Sequence, residues 1–187
     1  MILTLILLAI LLIVGVSIYN SLIAKKNNVT NAFGAIDVML KKRFDLLPNL
    51  VDTVKQYMAH ENNLLTRLTD LRTRALTGKL DEAEKLALDQ DVKKEVQGII
   101  LNAENYPDLK SNTNFLQLQG AWTESEDQIA AARRSYNAAV TEFNNAVQMF
   151  PSNLFAGIMS LSTLPVLETP AEERENISAK ALFETNA

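Results

Sequence analysis

The chain has no cysteine, one histidine and six glycines, which are scattered along it. Without a thiol it can form no disulfide and carry no lipid on a cysteine. One histidine and no cysteine leave too few ligands for a zinc-type site, and scattered glycines form no phosphate-binding loop. We therefore expect no enzyme activity, no catalytic residue, no metal and no cofactor.

Charged residues are absent from the first 24 positions, after which Lys25 and Lys26 follow directly. The stretch from Ile2 to Ile18 is almost entirely Leu, Ile, Val and Ala. A helix of 18 residues rises roughly 27 Å, close to the ~30 Å hydrocarbon thickness of a bilayer. The pattern predicts a single transmembrane anchor over residues 1–24.

Two other interpretations of this apolar run fit less well. A cleaved signal peptide starts with a basic region and ends in small residues, whereas this run has no basic start and ends in the bulky Ile18 and Tyr19. A buried helix of a soluble domain rarely stays apolar on every side. Tyr19 is suited to the interface between membrane and water.

The orientation of the anchor is predicted from the charges that flank it. No Lys or Arg precedes the run, and Lys25 and Lys26 follow it. The positive-inside rule then places the remainder of the chain in the cytoplasm. Because only two lysines lie close to the run, the opposite orientation stays open.

The residues after the anchor predict an all-α domain. Apolar residues recur at steps of three or four, which is the helical period, and no long stretch alternates with period two. The formal net charge of −4 argues against nucleic acid as a partner. The first predicted helix runs from the membrane to His60 with a bend near Asp45–Asn49. The other three run from Glu61 to Thr77, from Asp81 to Asn105 and from Ser111 to Phe150.

Short connections between long helices favour an elongated antiparallel four-helix bundle that continues directly from the transmembrane helix. The first helix leads away from the membrane and the fourth returns, so Phe150 should lie near the bilayer. The predicted division is an anchor over 1–24, a bundle over 25–151, an apolar membrane-proximal segment over 152–167 and a polar tail over 168–187.

The segment that follows the fourth helix is uncharged from Asn153 to Leu167, and it is too short to span a membrane. It either packs on the base of the bundle within one chain, or lies in the membrane interface or against a second copy. The residues expected to make these contacts are Phe150, Pro151, Leu154, Phe155, Ile158, Met159 and Leu161.

Several stretches between Tyr19 and Pro151 resemble the LemA family of bacterial membrane proteins. The longest are Lys42–Val51, Tyr106–Asn112, Ala132–Asn137 and Phe150–Asn153. The resemblance implies an anchored, elongated helical bundle at the bacterial cytoplasmic (inner) membrane, without an accepted enzymatic activity. Links of the family to membrane stress and membrane proteases have been suggested.

Polar residues near the apolar seams are candidates for setting the helix register. If the first and fourth helices pair with level ends, Asp37 lies near Arg133, Arg134 or Asn137, beside the seam residue Tyr136. A partly buried Asp–Arg pair penalises a shifted register, because either charge alone would lack a partner. A partner-binding role is the alternative. On this hypothesis Asp37→Ala destabilises the chain more than Asp81→Ala.

The bend and the single histidine allow simple structural roles. Pro48 frees the carbonyl of Phe44 from its helical partner, and the side chains of Asp45 and Asn49 can bond backbone groups there. The result is a fixed kink or, alternatively, a hinge or docking site. His60 is expected at a helix end. Glu124, Glu126 and Asp127 are expected to form a solvated helix face.

These features favour a non-enzymatic, membrane-anchored scaffold that self-associates, with lipid and further copies of itself as partners. The motivation is the single anchor, the long seams with heptad-like stretches typical of coiled coils, and the apolar segment that returns to the bilayer. The alternative is an adaptor or regulator that binds another membrane protein, such as a protease or transporter.

Overall fold

The computed structural model describes residues 1–58, 61–77 and 80–167. In this part of the chain the regular elements are helices and no strand is present, which confirms the all-α prediction. The helices are α1 (Ile2–Phe44), α2 (Leu47–Lys55), α3 (Asn62–Thr77), α4 (Glu82–Asn102), α5 (Pro107–Lys110), α6 (Thr113–Gln148) and α7 (Ser152–Ile158).

Helix α1 is continuous from the apolar N-terminus into the bundle over 43 residues. Its first fully buried side chain is Leu22, and buried residues then recur at Val29, Phe33, Ile36 and Leu40. These steps of three to seven residues keep one face of the helix against the bundle. The N-terminal half has no such face, so the anchor and the bundle share one helix but have different surroundings.

The first helix is interrupted near Pro48, where the sequence predicted only a bend over Asp45–Asn49. Pro48 has no N–H to offer the carbonyl of Phe44, and the helix stops at Phe44 and restarts at Leu47. Leu47, Val51 and Val54 remain buried, so the seam continues in phase across the interruption. Helix α2 stops at Lys55, earlier than the predicted His60, because the chain tightens into a turn in which the Tyr57 N–H bonds the Val54 carbonyl.

Helices α3 and α4 form the second layer of the bundle, in an antiparallel pair. Asp81 caps α4: its carboxylate accepts the Glu84 backbone N–H at 2.8 Å, and the Glu84 carboxylate accepts the Asp81 N–H at 2.9 Å. This reciprocal pair satisfies two donors that the first helical turn leaves free. A short 3₁₀ turn follows α4 and leads into Pro107 at the start of α5.

Helix α6 returns along α1, and the α1–α6 pairing is the most extensive in the fold. The Phe33 and Tyr136 rings meet edge to face at 5.8 Å between centroids, and Lys25 lies 3.5 Å from Glu142. The later residue of α1 in these two contacts, Phe33, meets the earlier residue of α6, Tyr136, so the two helices are antiparallel. The predicted path away from the apolar end and back to it is therefore correct.

Candidate functional site

A cluster of charged side chains lies inside the bundle where α1, α4 and α6 meet. Arg43 of α1 is 2% exposed and donates through Nη1 to Asp89 Oδ1 of α4 at 2.6 Å. Arg133 of α6 donates to the other oxygen of Asp89 at 3.3 Å. Glu126 adds a carboxylate 3.6 Å from Arg43. Asp89 is therefore held between two guanidinium groups.

Neutral groups complete the surroundings of Arg43. Its Nε donates to the Ser125 hydroxyl at 3.2 Å, and that hydroxyl donates to the Trp122 carbonyl at 2.6 Å. The guanidinium carbon lies 4.7 Å from the centre of the Trp122 ring, within the range of a cation–π contact. Because the charges are paired and the guanidinium is stacked, this cluster ties three helices together.

The predicted contact between Asp37 and Arg133, Arg134 or Asn137 is wrong. Asp37 instead accepts Lys85 Nζ of α4 at 2.6 Å. Phe33 lies opposite Tyr136, so the predicted level of Asp37 along α6 was right to within about one turn. The face was wrong, since Asp37 turns towards α4 and not towards α6. Arg134 is exposed.

Tyr136 and Asn137 make other contacts. Tyr136 is buried against Phe33. Burial, followed by the charge of Glu82, raises the pKa of its phenol above the ordinary value. Asn137 bonds the backbone of Leu167. Neither residue contacts Asp37 in the way the sequence suggested.

The bend after α1 contains a smaller correction. Asp45 does not bond the backbone through its side chain; its carboxylate accepts Lys41 Nζ at 2.8 Å. Pro48 occupies the first turn of α2, where its missing N–H costs little. Asn49 is exposed and lines an open groove with Asn114 and Gln117. The kink lies between the end of α1 at Phe44 and the start of α2 at Leu47.

The predicted solvated face of acids is only partly correct, and the histidine prediction is untested. Glu124 is exposed and lies 3.9 Å from Lys42, whereas Glu126 turns inward to the charged cluster. His60 lies outside the described residues. Among the described residues, no three His, Cys, Asp or Glu side chains are grouped so that they could hold a metal ion.

A second candidate site lies beside the anchor, where α7 packs against α1. Gly15 leaves room for the ring of Phe155: a Cβ placed on this glycine would lie 3.4 Å from the ring. Ala156 of α7 is buried, and so is Leu22, about two helical turns beyond Gly15 on α1. The segment after α6 therefore packs within its own chain, which is one of the two alternatives left open by the sequence.

The outer side of the same segment is not covered by any of the residues that the structure describes. Phe150 is 79% exposed and Ile158 is 83% exposed. Leu154 is exposed as well. Pro151 and Met159 flank α7. The result is an apolar surface that is continuous with the anchor.

An extended segment, residues 161–167, follows α7 and runs along α6; we call it the extended limb. The Asn144 side chain accepts the Leu164 N–H and donates to the Leu164 carbonyl, both at 2.8 Å. Asn137, two turns away, makes the same pair of bonds to Leu167 at 2.8 and 2.9 Å. Leu161, Leu164 and Leu167 pack against the core. Two asparagine side chains thus hold the limb by its backbone.

Sequence reasoning missed Arg43, Asp89, Ser125 and Asn144. A signal for two of them was present. Arg43 follows Ile36 and Leu40 at heptad spacing, and Asp89 precedes Val92, Val96 and Ile99 at the same spacing. A charged residue in phase with a buried seam predicts a buried ion pair. Ser125 and Asn144 carry no comparable signal.

The fold and the apolar end define a class of protein. One helix in the described ranges is long and apolar enough to cross a membrane, and none of its apolar window is buried against the rest of the chain. This observation removes the interpretation as a core helix. The chain is a membrane-associated helical protein whose apolar N-terminal helix leads into a bundle.

The family follows from comparison with known sequences. The family model described as "LemA family" matches residues 32–180, so the chain belongs to the LemA family. Protein LemA of Metamycoplasma hominis is 26% identical over 163 residues, which are 87% of this chain and 74% of that protein.

Two magnetosome proteins are also similar. Magnetosome protein MamQ 2 of Paramagnetospirillum magneticum is 24% identical over 75% of this chain and 61% of its own length. Magnetosome protein MamQ of Magnetospirillum gryphiswaldense is 22% identical over 90% of this chain and 69% of its own length. The chain therefore spans less than two thirds of MamQ 2.

Proposed function

We propose that the protein is a non-enzymatic scaffold of the bacterial cytoplasmic membrane, in which copies associate side by side through the outer face of α1. Such an assembly organises or shields a patch of membrane, with the bundles in the cytoplasm. The observation that carries the proposal is that the outer face of α1 bears no charge from the anchor up to Val38.

This face has the spacing of a coiled-coil seam. Alternating steps of four and three residues place its members on one side of the helix, as in a heptad repeat. Its members above the apolar run are Asn20, Ala24, Asn27, Asn31, Gly34 and Val38, and every one of them is exposed. Asparagine at such positions favours one register of parallel helices at some cost in stability.

Between Asn20 and Val38, the charged residues of α1 lie outside this face. Lys25 turns towards Glu142 of α6, and Asp37 turns towards Lys85 of α4. The face continues from Ala24 to Val38 for about 20 Å along the helix axis. Two copies anchored in one membrane have parallel α1 helices, which is the arrangement that a heptad seam joins.

Small side chains allow the helices to approach closely. A Cβ placed on Gly34 would meet nothing within 4 Å in its own chain, and Val38 is 60% exposed. The exposed face therefore suits close contact between copies above the membrane.

Cysteine cross-linking in vesicles tests this proposal, because the chain has no cysteine of its own. Gly34→Cys places a thiol on the proposed seam. Ser135→Cys is the matched control, since it is exposed at nearly the same height on the outer side of α6. At high dilution in lipid, Gly34→Cys should form cross-linked dimers several-fold faster than Ser135→Cys.

Equal rates for the two variants would contradict the proposed face. A cross-link from Gly34→Cys to a different protein in native membranes, with no cross-link between copies, would instead favour the adaptor. The experiment therefore separates self-association from regulation of another membrane protein.

A further inference from the structure

We infer that residues 143–167 form a re-entrant element, which enters the hydrocarbon of the leaflet next to the bundle and leaves it on the same side. The inference rests on one part of the proposed function, the anchoring of residues 1–24 in a bilayer. It does not depend on self-association. Its ligand is the acyl-chain region of that leaflet.

A pair of charges marks the level at which the chain becomes uncharged. Lys25 is the first charged residue after the anchor, and Glu142 is the last one before a run of 25 uncharged residues, 143–167. These two side chains lie 3.5 Å apart. Both α1 and α6 therefore lose their charges at the same height, which is expected where both enter the bilayer.

Helix α7 lies well below that level. The ring of Phe155 packs over Gly15, which is ten residues from Lys25 along a continuous helix. Ten residues rise about 15 Å, which is roughly half of the ~30 Å hydrocarbon thickness. Phe155 is thus placed beside the anchor at a depth inside a single leaflet.

The extended limb returns to the level of the charges. Leu164 is held by Asn144, two residues below Glu142 on α6, and Leu167 is held by Asn137, five residues above it. The limb therefore passes the Lys25–Glu142 level between Leu164 and Leu167. The next charged residue in the sequence is Glu168, immediately after the limb.

Two parts of the backbone of the element have the hydrogen-bond partners that a medium without water requires. Extended backbone in hydrocarbon requires partners for its N–H and C=O groups, and Asn144 supplies both for Leu164. At the end of α7 the Leu161 N–H bonds the Ala156 carbonyl and the Ser160 N–H bonds the Gly157 carbonyl. These bonds close the helix end in a Schellman turn.

The side chains on the outer surface are suited to the same medium. Phe150, Leu154 and Ile158 project away from the chain and are exposed. They continue the exposed apolar surface of the anchor at the same depth. Because the anchor already brings lipid to this position, the acyl chains that surround it also cover the outer surface of α7.

Fluorescence quenching in vesicles of phosphatidylcholine and phosphatidylglycerol tests the inference with the full chain. An environment-sensitive label is attached to Ile158→Cys and, as a second variant, to Leu154→Cys. Leu8→Cys in the anchor is the positive control. Leu101→Cys is the negative control, since Leu101 is 70% exposed at the far end of α4. Lipids that carry a spin label on the acyl chain serve as quenchers.

The labels at Ile158→Cys and Leu154→Cys should be quenched by these lipids nearly as strongly as the anchor label, and several-fold more than the label at Leu101→Cys. Quenching by aqueous iodide at the level of Leu101→Cys would overturn the inference. So would protection from both quenchers that increases with protein density, since a second copy would then cover α7. If the label at Leu8→Cys also escapes the lipid quenchers, the anchoring itself fails.

Discussion

Arg43 of α1 and Asp89 of α4 meet at 2.6 Å inside the bundle, where their side chains are 2% and 4% exposed. The pair fixes the height of α1 relative to α4, because a shift of either helix by one turn would separate two buried charges. Arg133 of α6 shares the same carboxylate. Since α1 is also the anchor, the cluster ties the bundle to the helix that meets the membrane.

Loss of Arg43 should destabilise the chain strongly. Arg43→Met leaves Asp89 buried with Arg133 as its remaining close cation, and removal of one member of a buried pair costs about 3–5 kcal/mol. Lys42→Met is the matched control, since Lys42 is exposed on the same turn and should change stability by less than about 0.5 kcal/mol. Thermal unfolding followed by circular dichroism measures both. Equal melting temperatures would show that the pair is not needed for stability.

The order of two aspartate substitutions should be the reverse of the one expected from the sequence. Asp81 caps α4 together with Glu84, and loss of such a cap costs about 1 kcal/mol. Asp37 pairs with Lys85 where both are substantially exposed, and such pairs contribute about 0–1 kcal/mol. Asp81→Ala should therefore lower the melting temperature more than Asp37→Ala. A larger loss for Asp37→Ala would show that its pair with Lys85 contributes more than the cap of α4.

Removal of an asparagine side chain should release the extended limb without unfolding the bundle. Asn144→Ala leaves the N–H and carbonyl of Leu164 without their partners, which costs about 1–3 kcal/mol locally. Hydrogen exchange in residues 161–167 should accelerate by tenfold or more. Asn145→Ala is the control, because Asn145 is exposed on the adjacent position. Unchanged exchange in Asn144→Ala would mean that packing alone holds the limb.

Alkaline pH should weaken the fold through Tyr136. Its pKa is raised in the folded chain, first by burial and then by the charge of Glu82. The folded state therefore keeps the phenol proton when the unfolded state has lost it. This contribution is complete below pH ~10 and is lost as pH rises through the folded pKa. The free energy of unfolding of Tyr136→Phe should fall less steeply above pH ~10; identical slopes would contradict the assignment.

The register of α1 against α6 could be predicted from the sequence, but the neighbours of single side chains could not. A hydrophobic seam fixes which face of a helix is buried, and level helix ends fix the height to within about a turn. The partner of a residue at the edge of the buried face depends on which further helix packs beside that edge. For this reason Asp37 was placed near α6, whereas it contacts Lys85 of α4.

The residues that precede Arg43 in the sequence made its burial hard to predict. It follows Lys41 and Lys42, and a run of three cations normally indicates a solvated face. Asn144 was missed for a different reason, since its partners are backbone groups of Leu164, which no side-chain pattern predicts. The sequence predicted that the segment after α6 is apolar. It did not predict that one side of this segment packs on α1 while the other is exposed.

The central claim is that the protein acts by associating with further copies of itself at the membrane. The most direct test is the mass of the particle that contains the full chain, extracted from its native membrane into lipid nanodiscs. The account predicts a discrete multiple of the 20.8 kDa chain, which Val38→Lys on the outer face of α1 should reduce to single chains. A particle with one copy, alone or with a different protein, would contradict it.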